Sequence, residues 1–132
     1  QKMAQKISVS VKTLVAKANT DIKTISVEEA FKILGTEGHV FVDLRDIREI
    51  KRNGKIPGAF SCPRGMLEFW IDPESPYHKD IFNQEKTYVF YCAAGWRSAL
   101  SAQTAQAMGL SPVCHIDGGF TKWSYMNNPI ET

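Results

Sequence analysis

The sequence predicts a single α/β domain, and two observations support this fold class. Short, nearly continuous β-prone runs at 39–44, 88–92 and 113–116 alternate with segments that have helical patterning. Such runs are typical of strands that are covered on both faces in a parallel sheet. The 132 residues suit one hydrophobic core, and no cluster of Pro or Gly marks a linker. We therefore expect right-handed crossovers and a ligand site beyond the carboxyl ends of the strands.

Two helices are predicted before the first of these strands. The first covers residues 9–18. The second follows Ser26, because Ser26 and Glu29 form a capping box ahead of helically spaced apolar residues within 30–34. Gly35 stands where a C-cap is expected, so this helix ends there.

The segment after the first strand is expected to be mainly architectural. Asp43 and Arg45 lie at the end of that strand, and hydrogen bonds or an ion pair between them, or with Glu49, would fix the next loop. Residues 56–59 resemble a turn that enters a further short strand. The apolar run at 66–70 predicts a short helix or turn that packs in the core or lines the entrance to a site.

Cys92 is the candidate nucleophile, because a predicted buried strand ends there and a short loop leads into a helix predicted over 97–108. The helix lacks breakers and stops at Gly109. The intervening residues are mostly small, and they are Ala93, Ala94, Gly95 and Trp96. Gly95 permits a positive φ, so several N–H groups can point inward as an anion-binding nest.

Positive charge is expected around that thiol from two sources. The helix N-terminus offers unpaired N–H groups, and Arg97 adds a permanent cation. Both stabilise a thiolate, so we expect Cys92 to be nucleophilic near neutral pH without a separate general base. In the alternative, Cys92 is a buried structural thiol, but such a thiol needs none of these features.

The other cysteines and the histidines show no pattern of a metal site. Cys62 and Cys114 are expected to pack as core thiols, with a resolving thiol as the alternative for Cys62. His39, His78 and His115 lack metal-ligand spacing, so isolated structural or surface roles are expected. We predict neither a metal nor a cofactor.

Composition argues against two classes of partner. The net charge is only +2, and the densest basic stretch, at 45–55, is interrupted by acidic residues, so nucleic-acid binding is not expected. No apolar run is long enough to span a membrane, and no secretory signal is visible. Three separated cysteines without a C-x-x-C pair suit a reducing compartment, so a cytoplasmic location is predicted.

Three separated motifs resemble those of the rhodanese homology family, over about residues 25–129. The first is D-L-R-D-I-R-E-I-K-R-N-G-K-I-P-G-A at 43–59, and the second is C-A-A-G-W-R-S at 92–98, which is similar to the active loop of the family. The third is I-D-G-G-F-T-K-W at 116–123, which is similar to its closing G-G-x-x-x-W. The three motifs occur in the same order as in the family.

The resemblance implies a mostly parallel, five-stranded sheet flanked by helices in a domain at 25–130. Residues 1–24 would then be an N-terminal extension, with its helix packed on that domain. It also implies that Cys92 takes sulfur from a small anionic donor such as thiosulfate and passes it to a thiol or cyanide, while the loop backbone and Arg97 bind the anion. Trp96 occupies a variable position of the loop and either walls the pocket or lies outward.

The same loop has two alternative uses. A sulfur carrier would accept a persulfide from a sulfur-relay protein and hand it to another without efficient turnover of small molecules. A phosphatase or arsenate reductase of the C-x5-R type needs five residues between Cys and Arg to wrap its anion, whereas only four separate Cys92 from Arg97. The shorter loop favours sulfur transfer by the pattern of the family.

Overall fold

The computed structural model describes residues 4–132, which form a parallel sheet between two layers of helices. Within these residues the six α-helices are α1 (Val11–Asp21), α2 (Val27–Ile33), α3 (Ile47–Asn53), α4 (Leu67–Ile71), α5 (Trp96–Ala107) and α6 (Gly119–Tyr125). The five strands are β1 (Lys23–Ile25), β2 (His39–Asp43), β3 (Phe60–Ser61), β4 (Thr87–Tyr91) and β5 (Val113–Ile116). Single 3-10 turns cover Arg64–Met66 and Asp80–Phe82. The sequence-based expectation for residues 1–3, as part of the N-terminal extension, lies outside the described residues.

The five strands form one sheet in the order β1-β5-β4-β2-β3, and every neighbouring pair is parallel. The predicted α/β class and the five-stranded parallel sheet are therefore confirmed. Because all strands run the same way, their carboxyl ends lie at one edge, where β2 ends at Asp43 and β4 at Tyr91. The candidate loop starts at that edge.

Each face of the sheet has its own apolar core. Along β4, Tyr88 and Phe90 pack on one side with α4 and the buried alanines of α5. Val89 and Tyr91 pack on the other side with α2 and α6. This alternation explains why the sequence of β4 is almost continuously apolar, since both faces of the strand are covered.

The N-terminal segment packs directly on the rest of the chain. Val15 and Ala18 of α1 contact Ala99 of α5, and β1 adds an edge strand beside β5. The helix is shifted from the predicted 9–18 because Ser10 accepts a hydrogen bond from the Thr13 N–H and so fixes its start at Val11. None of the helices within residues 4–132 has the length and apolar character that crossing a membrane requires.

Side-chain caps set the ends of the two short helices near the sheet. The capping box of Ser26 and Glu29 is present at α2, as predicted. The observed C-cap is Leu34, one residue before the predicted Gly35, which follows with φ of +81°. At α3, Asp46 and Glu49 form a second capping box, which places Glu49 in the first turn.

Candidate active site

The loop between β4 and α5 curls around the sulfur of Cys92. The Sγ atom accepts hydrogen bonds from the Gly95 N–H at 3.2 Å and the Ser98 N–H at 3.3 Å. It also lies 3.5 Å from the Ser98 hydroxyl oxygen. Cys92 is only 1 % exposed, so the sulfur lies beneath the loop and a donor must approach through it. Backbone N–H groups that converge on one atom favour negative charge there.

Local conformation explains why these N–H groups point inward. Gly95 has φ of +114°, a left-handed conformation that turns the loop into the first residue of α5. Ser98 lies in the first turn of that helix, where backbone N–H groups have no partner within the helix. Gly95 is among the site residues predicted from the sequence, whereas Ser98 is not, although its place in the first helical turn was the available signal.

The start of α6 holds the outer side of the loop. The Phe120 N–H donates to the Cys92 carbonyl at 2.8 Å, and the Thr121 N–H donates to the Ala93 carbonyl at 3.0 Å. Gly119 has φ of +56°, and a Cβ atom there would collide with both carbonyl oxygens. The glycine therefore allows α6 to approach closely and to turn the loop carbonyls away from the sulfur.

A buried polar network supports the neighbouring end of β2. The Arg45 guanidinium pairs with Asp43 at 2.7 Å, and the Tyr91 hydroxyl donates to the same carboxylate at 2.7 Å. The Ile56 N–H in turn donates to the Tyr91 oxygen. Burial, followed by the Asp43 carboxylate, raises the pKa of Tyr91. Asp43 and Arg45 thus pair directly, as expected of architectural residues, and do so without Glu49.

Arg97 is engaged by α3. Its guanidinium donates two hydrogen bonds to the Glu49 carboxylate, at 2.8 and 3.0 Å. This contact lowers the pKa of Glu49 and raises the pKa of Arg97. The cation beside the loop is therefore shared with a carboxylate, a pairing that sequence analysis did not anticipate. Binding of an anion by Arg97 stays a prediction.

The remaining loop residues differ in exposure. Ala93 is half-buried, Ala94 is exposed, and Trp96 is 51 % exposed. Of the two alternatives for Trp96, the structure has the outward one. The indole is therefore available to a molecule that approaches from outside the loop.

The other two cysteines are fully packed. Cys62 is buried in one core and Cys114 in the other. Burial raises the pKa of Cys62 to about 12 and that of Cys114 to about 11. Both thiols therefore stay protonated near neutral pH, which argues against a resolving role for Cys62. Within residues 4–132, no three His, Cys, Asp or Glu side chains are grouped as ligands for a metal ion.

The expectation of an isolated role for His115 is wrong. Its Nδ1 lies 2.9 Å from the Ser98 hydroxyl, and its Nε2 lies 2.8 Å from Oδ1 of Asn19. The strand register explains the contact, because His115 pairs with Phe90 and so faces the same side of the sheet as Cys92, two residues further along. A lone polar residue in the buried run V-C-H-I was the available signal, but this register cannot be derived from one sequence.

Comparison with known proteins agrees with this geometry. The family model described as a rhodanese-like domain matches residues 26–126. A curated mouse relative, thiosulfate sulfurtransferase/rhodanese-like domain-containing protein 3, is 28 % identical over 106 residues, which cover 76 % of this chain and 68 % of the relative. The thiosulfate sulfurtransferase GlpE of Actinobacillus pleuropneumoniae is 26 % identical over 108 residues, or 82 % of this chain and 92 % of that protein.

A solved structure is more similar in sequence. It is that of a protein of unknown function, a possible tyrosine phosphatase, from Rhodopseudomonas palustris CGA009, at 55 % identity and a TM-score of 0.95. The match covers 98 % of this chain and 100 % of that one. The family model covers well over half of the chain and includes the Cys92 loop, the buried Asp43–Arg45 pair and the Gly118–Gly119 turn. The chain therefore belongs to the rhodanese-like domain family.

Proposed function

We propose that this protein is a sulfurtransferase that carries sulfane sulfur as a persulfide on Cys92. The observation that carries the proposal is the pair of N–H groups, from Gly95 and Ser98, directed at the Cys92 sulfur at the start of α5. Such a cradle favours a thiolate before the reaction and an anionic terminal sulfur after it. Two curated relatives named as thiosulfate sulfurtransferases support thiosulfate as the donor.

The reaction has two half-steps. In the first, the Cys92 thiolate attacks the outer sulfur of thiosulfate, the S–S bond of the donor breaks, and sulfite leaves with the electron pair. In the second, a nucleophilic acceptor such as cyanide or a thiolate attacks the terminal sulfur of the persulfide. The Cys92–sulfur bond then breaks, and the thiolate returns. No general base is needed for either bond exchange once Cys92 is ionised.

Burial of the sulfur suits a small donor. Because Cys92 is 1 % exposed, only a narrow group such as a terminal sulfur atom can contact Sγ without movement of the loop. Arg97 would add charge attraction for the rest of the anion, in competition with Glu49.

Phosphatase chemistry is the second candidate, because the Rhodopseudomonas palustris protein is described as a possible tyrosine phosphatase. In this chain only four residues separate Cys92 from Arg97, and the N–H groups of Gly95 and Ser98 are already directed at the sulfur itself. A phosphoryl group bonded to Sγ needs hydrogen-bond donors around its three oxygens. Arg97, the nearest cation of the loop, is bound to Glu49. We therefore favour transfer of a single sulfur atom.

Intact mass spectrometry tests the proposal. The protein is measured before and after thiosulfate, and again after cyanide, beside Cys92→Ser and the control Cys114→Ser. We expect a gain of one sulfur mass that cyanide removes, in the wild type and in Cys114→Ser but not in Cys92→Ser. Loading from a persulfide on a donor protein, but not from thiosulfate, would favour a sulfur carrier. Failure of every donor to load Cys92, together with hydrolysis of an aryl phosphate, would overturn the proposal in favour of a phosphatase.

A further inference from the structure

A chain of three short contacts leads from the Cys92 sulfur to the surface of α1. Sγ lies 3.5 Å from the Ser98 hydroxyl, which lies 2.9 Å from Nδ1 of His115. Nε2 of His115 lies 2.8 Å from Oδ1 of Asn19, an exposed residue of α1. Ser98 is fully buried and His115 is 2 % exposed. Both ring nitrogens thus have a partner, and one of them leads to the reacting atom.

Four separate elements are needed to assemble this chain. Cys92 follows β4, Ser98 is in α5, His115 is in β5, and Asn19 comes from α1. The helix α1 lies against α5, and the segment Ile22–Ile25 carries the chain from α1 into the edge strand beside β5. The N-terminal segment therefore contributes a side chain to the surroundings of the site and does more than cover α5.

We propose that His115 is a positioning residue that takes the proton of the Cys92 thiol through the Ser98 hydroxyl, while Asn19 orients the imidazole. This inference rests on the proposed function, since it concerns how the sulfur-accepting thiolate is formed. The known loop features hold a thiolate once it exists, and this relay supplies the destination of its proton.

The proton balance is simple. The S–H bond of Cys92 breaks as its proton moves to Ser98 Oγ, and the hydroxyl proton of Ser98 moves to Nδ1 of His115. The products are a thiolate and an imidazolium, and no oxidant or reductant takes part. After transfer, Nδ1–H donates to Ser98, whose hydroxyl is then directed toward the thiolate. The relay runs in reverse when the thiol is protonated again.

Asn19 sets the tautomer that this transfer requires. Oδ1 of an amide is only an acceptor, so its contact with Nε2 places the proton of the neutral ring on Nε2. Nδ1 then carries the lone pair that faces Ser98. After the transfer, Oδ1 still accepts from Nε2–H and stabilises the imidazolium.

The resting ring is neutral, and once the proton has moved, the thiolate at the other end of the relay stabilises the imidazolium. Burial lowers the pKa of His115, and Asp117 opposes this effect. Some of the charged side chains on the elements packed against His115 have a partner of opposite charge, since Lys17 pairs with Asp21 and Arg97 with Glu49. The charged residues of α1, β1 and α5, and those next to β5, are Lys12, Lys17, Asp21, Lys23, Arg97 and Asp117.

Variants of Asn19 separate this relay from a purely structural histidine, because Asn19 is exposed and its replacement leaves both cores intact. Asn19→Asp places a carboxylate on Nε2 and so stabilises the imidazolium, whereas Asn19→Ala removes the orienting acceptor. The control Ala16→Asp adds the same charge at another exposed position of α1. If His115 is only structural, Asn19→Asp and Asn19→Ala should not shift the ionisation of the Cys92 thiol in opposite directions.

The measurement is the ultraviolet absorbance of the Cys92 thiolate as a function of pH, with Cys92→Ser subtracted. We expect the midpoint to fall in Asn19→Asp by about one pH unit, a tenfold change in the ionisation constant, and to rise in Asn19→Ala. It should stay unchanged in Ala16→Asp. His115→Gln should raise the midpoint and make it insensitive to residue 19.

Equal midpoints in the wild type and both Asn19 variants, or shifts of the same sign, would overturn the relay. The absorbance needs no sulfur donor, so this result is independent of whether Cys92 is loaded by thiosulfate. Sulfur loading with unshifted midpoints contradicts only the relay. Shifted midpoints without loading from any donor contradict only the sulfurtransferase proposal.

Discussion

Arg97 of α5 donates two hydrogen bonds to Glu49 of α3, across 48 positions of the chain. Glu49 also accepts from the Asp46 N–H in the capping box of α3, so one carboxylate both starts a helix and restrains the cation beside the Cys92 loop. Under the proposed function, the Arg97–Glu49 pair would set the affinity for an anionic donor, since the carboxylate offsets the charge that the donor would meet.

Replacing the carboxylate should strengthen donor binding. In Glu49→Gln the side chain keeps its shape while Arg97 loses its counter-charge, so we expect KM for thiosulfate to fall by about fivefold with little change in kcat. Steady-state kinetics at low salt, where charges are screened least, checks this expectation. The control is Glu28→Gln, which removes an exposed carboxylate of α2. A rise in KM would show instead that Glu49 serves mainly to orient Arg97.

A methyl group at Gly119 should disrupt the site without touching the sulfur. In Gly119→Ala the Cβ atom would meet the Cys92 and Ala93 carbonyl oxygens, so α6 must move away from the loop. We expect a loss of about 2 kcal/mol or more in the free energy of unfolding, because strain at positive φ adds to the collision. Urea denaturation measures the loss, and sulfur loading should fall with it.

Gly35→Ala is the matched control for that experiment. Gly35 also has positive φ, at +81°, but nothing lies within 4 Å of the added carbon. The loss in unfolding free energy should be limited to the strain of a side chain at positive φ, about 1 kcal/mol. Equal losses in the two variants would show that the approach of α6 to the loop contributes nothing beyond conformational strain.

Local features of the sequence predicted much of the fold. The buried strands β2, β4 and β5 were placed within one residue, because a strand covered on both faces is almost continuously apolar. The position of Cys92 and Gly95 between β4 and α5 could be predicted because strand, loop and helix follow one another along the chain. The start of α1 was less accurate, since it depends on which of several polar residues acts as the cap, and Ser10 does so.

The contacts that could not be predicted are those between distant elements. His115 reaches Ser98 only because β5 pairs with β4 in the register that sets His115 beside Phe90, and register is not written in one strand. Asn19 reaches His115 only through the packing of α1 on α5. The sequence suggests Glu49 as a further partner of Asp43 and Arg45. In the structure these two residues bind each other, and Glu49 binds Arg97.

Removing the hydroxyl of Tyr91 should weaken the buried network beside the site. Tyr91→Phe deprives Asp43 of a donor and leaves the Ile56 N–H without its acceptor, so the expected cost in unfolding free energy is about 1–3 kcal/mol. Urea denaturation measures it, with Tyr77→Phe on the surface as the control. A cost no larger than that of the control would show that water replaces the lost hydroxyl.

Alkaline pH should destabilise the fold partly through Cys62. Burial raises the pKa of this thiol from its ordinary value of 9.0 to about 12, so the folded chain holds the proton more tightly than the unfolded chain. The resulting stability is fully present below pH 9.0 and is lost as the pH rises toward about 12. The Cys62→Ala variant lacks this ionisable thiol, so the unfolding free energy of the variant should fall less steeply with rising pH than that of the wild type.

Urea denaturation of both proteins across this range, under reducing conditions, gives the comparison. Near neutral pH the variant is less stable because a packed side chain has been truncated. Above pH 9.0 the difference in unfolding free energy between the wild type and the variant should narrow. The change is at most about 1.4 kcal/mol for each pH unit, which applies when unfolding of the wild type releases one full proton from Cys62. The other ionisable groups are the same in both proteins, so their contribution cancels in the difference. A gap that stays constant with pH would mean that Cys62 ionises as easily in the folded chain as in the unfolded one.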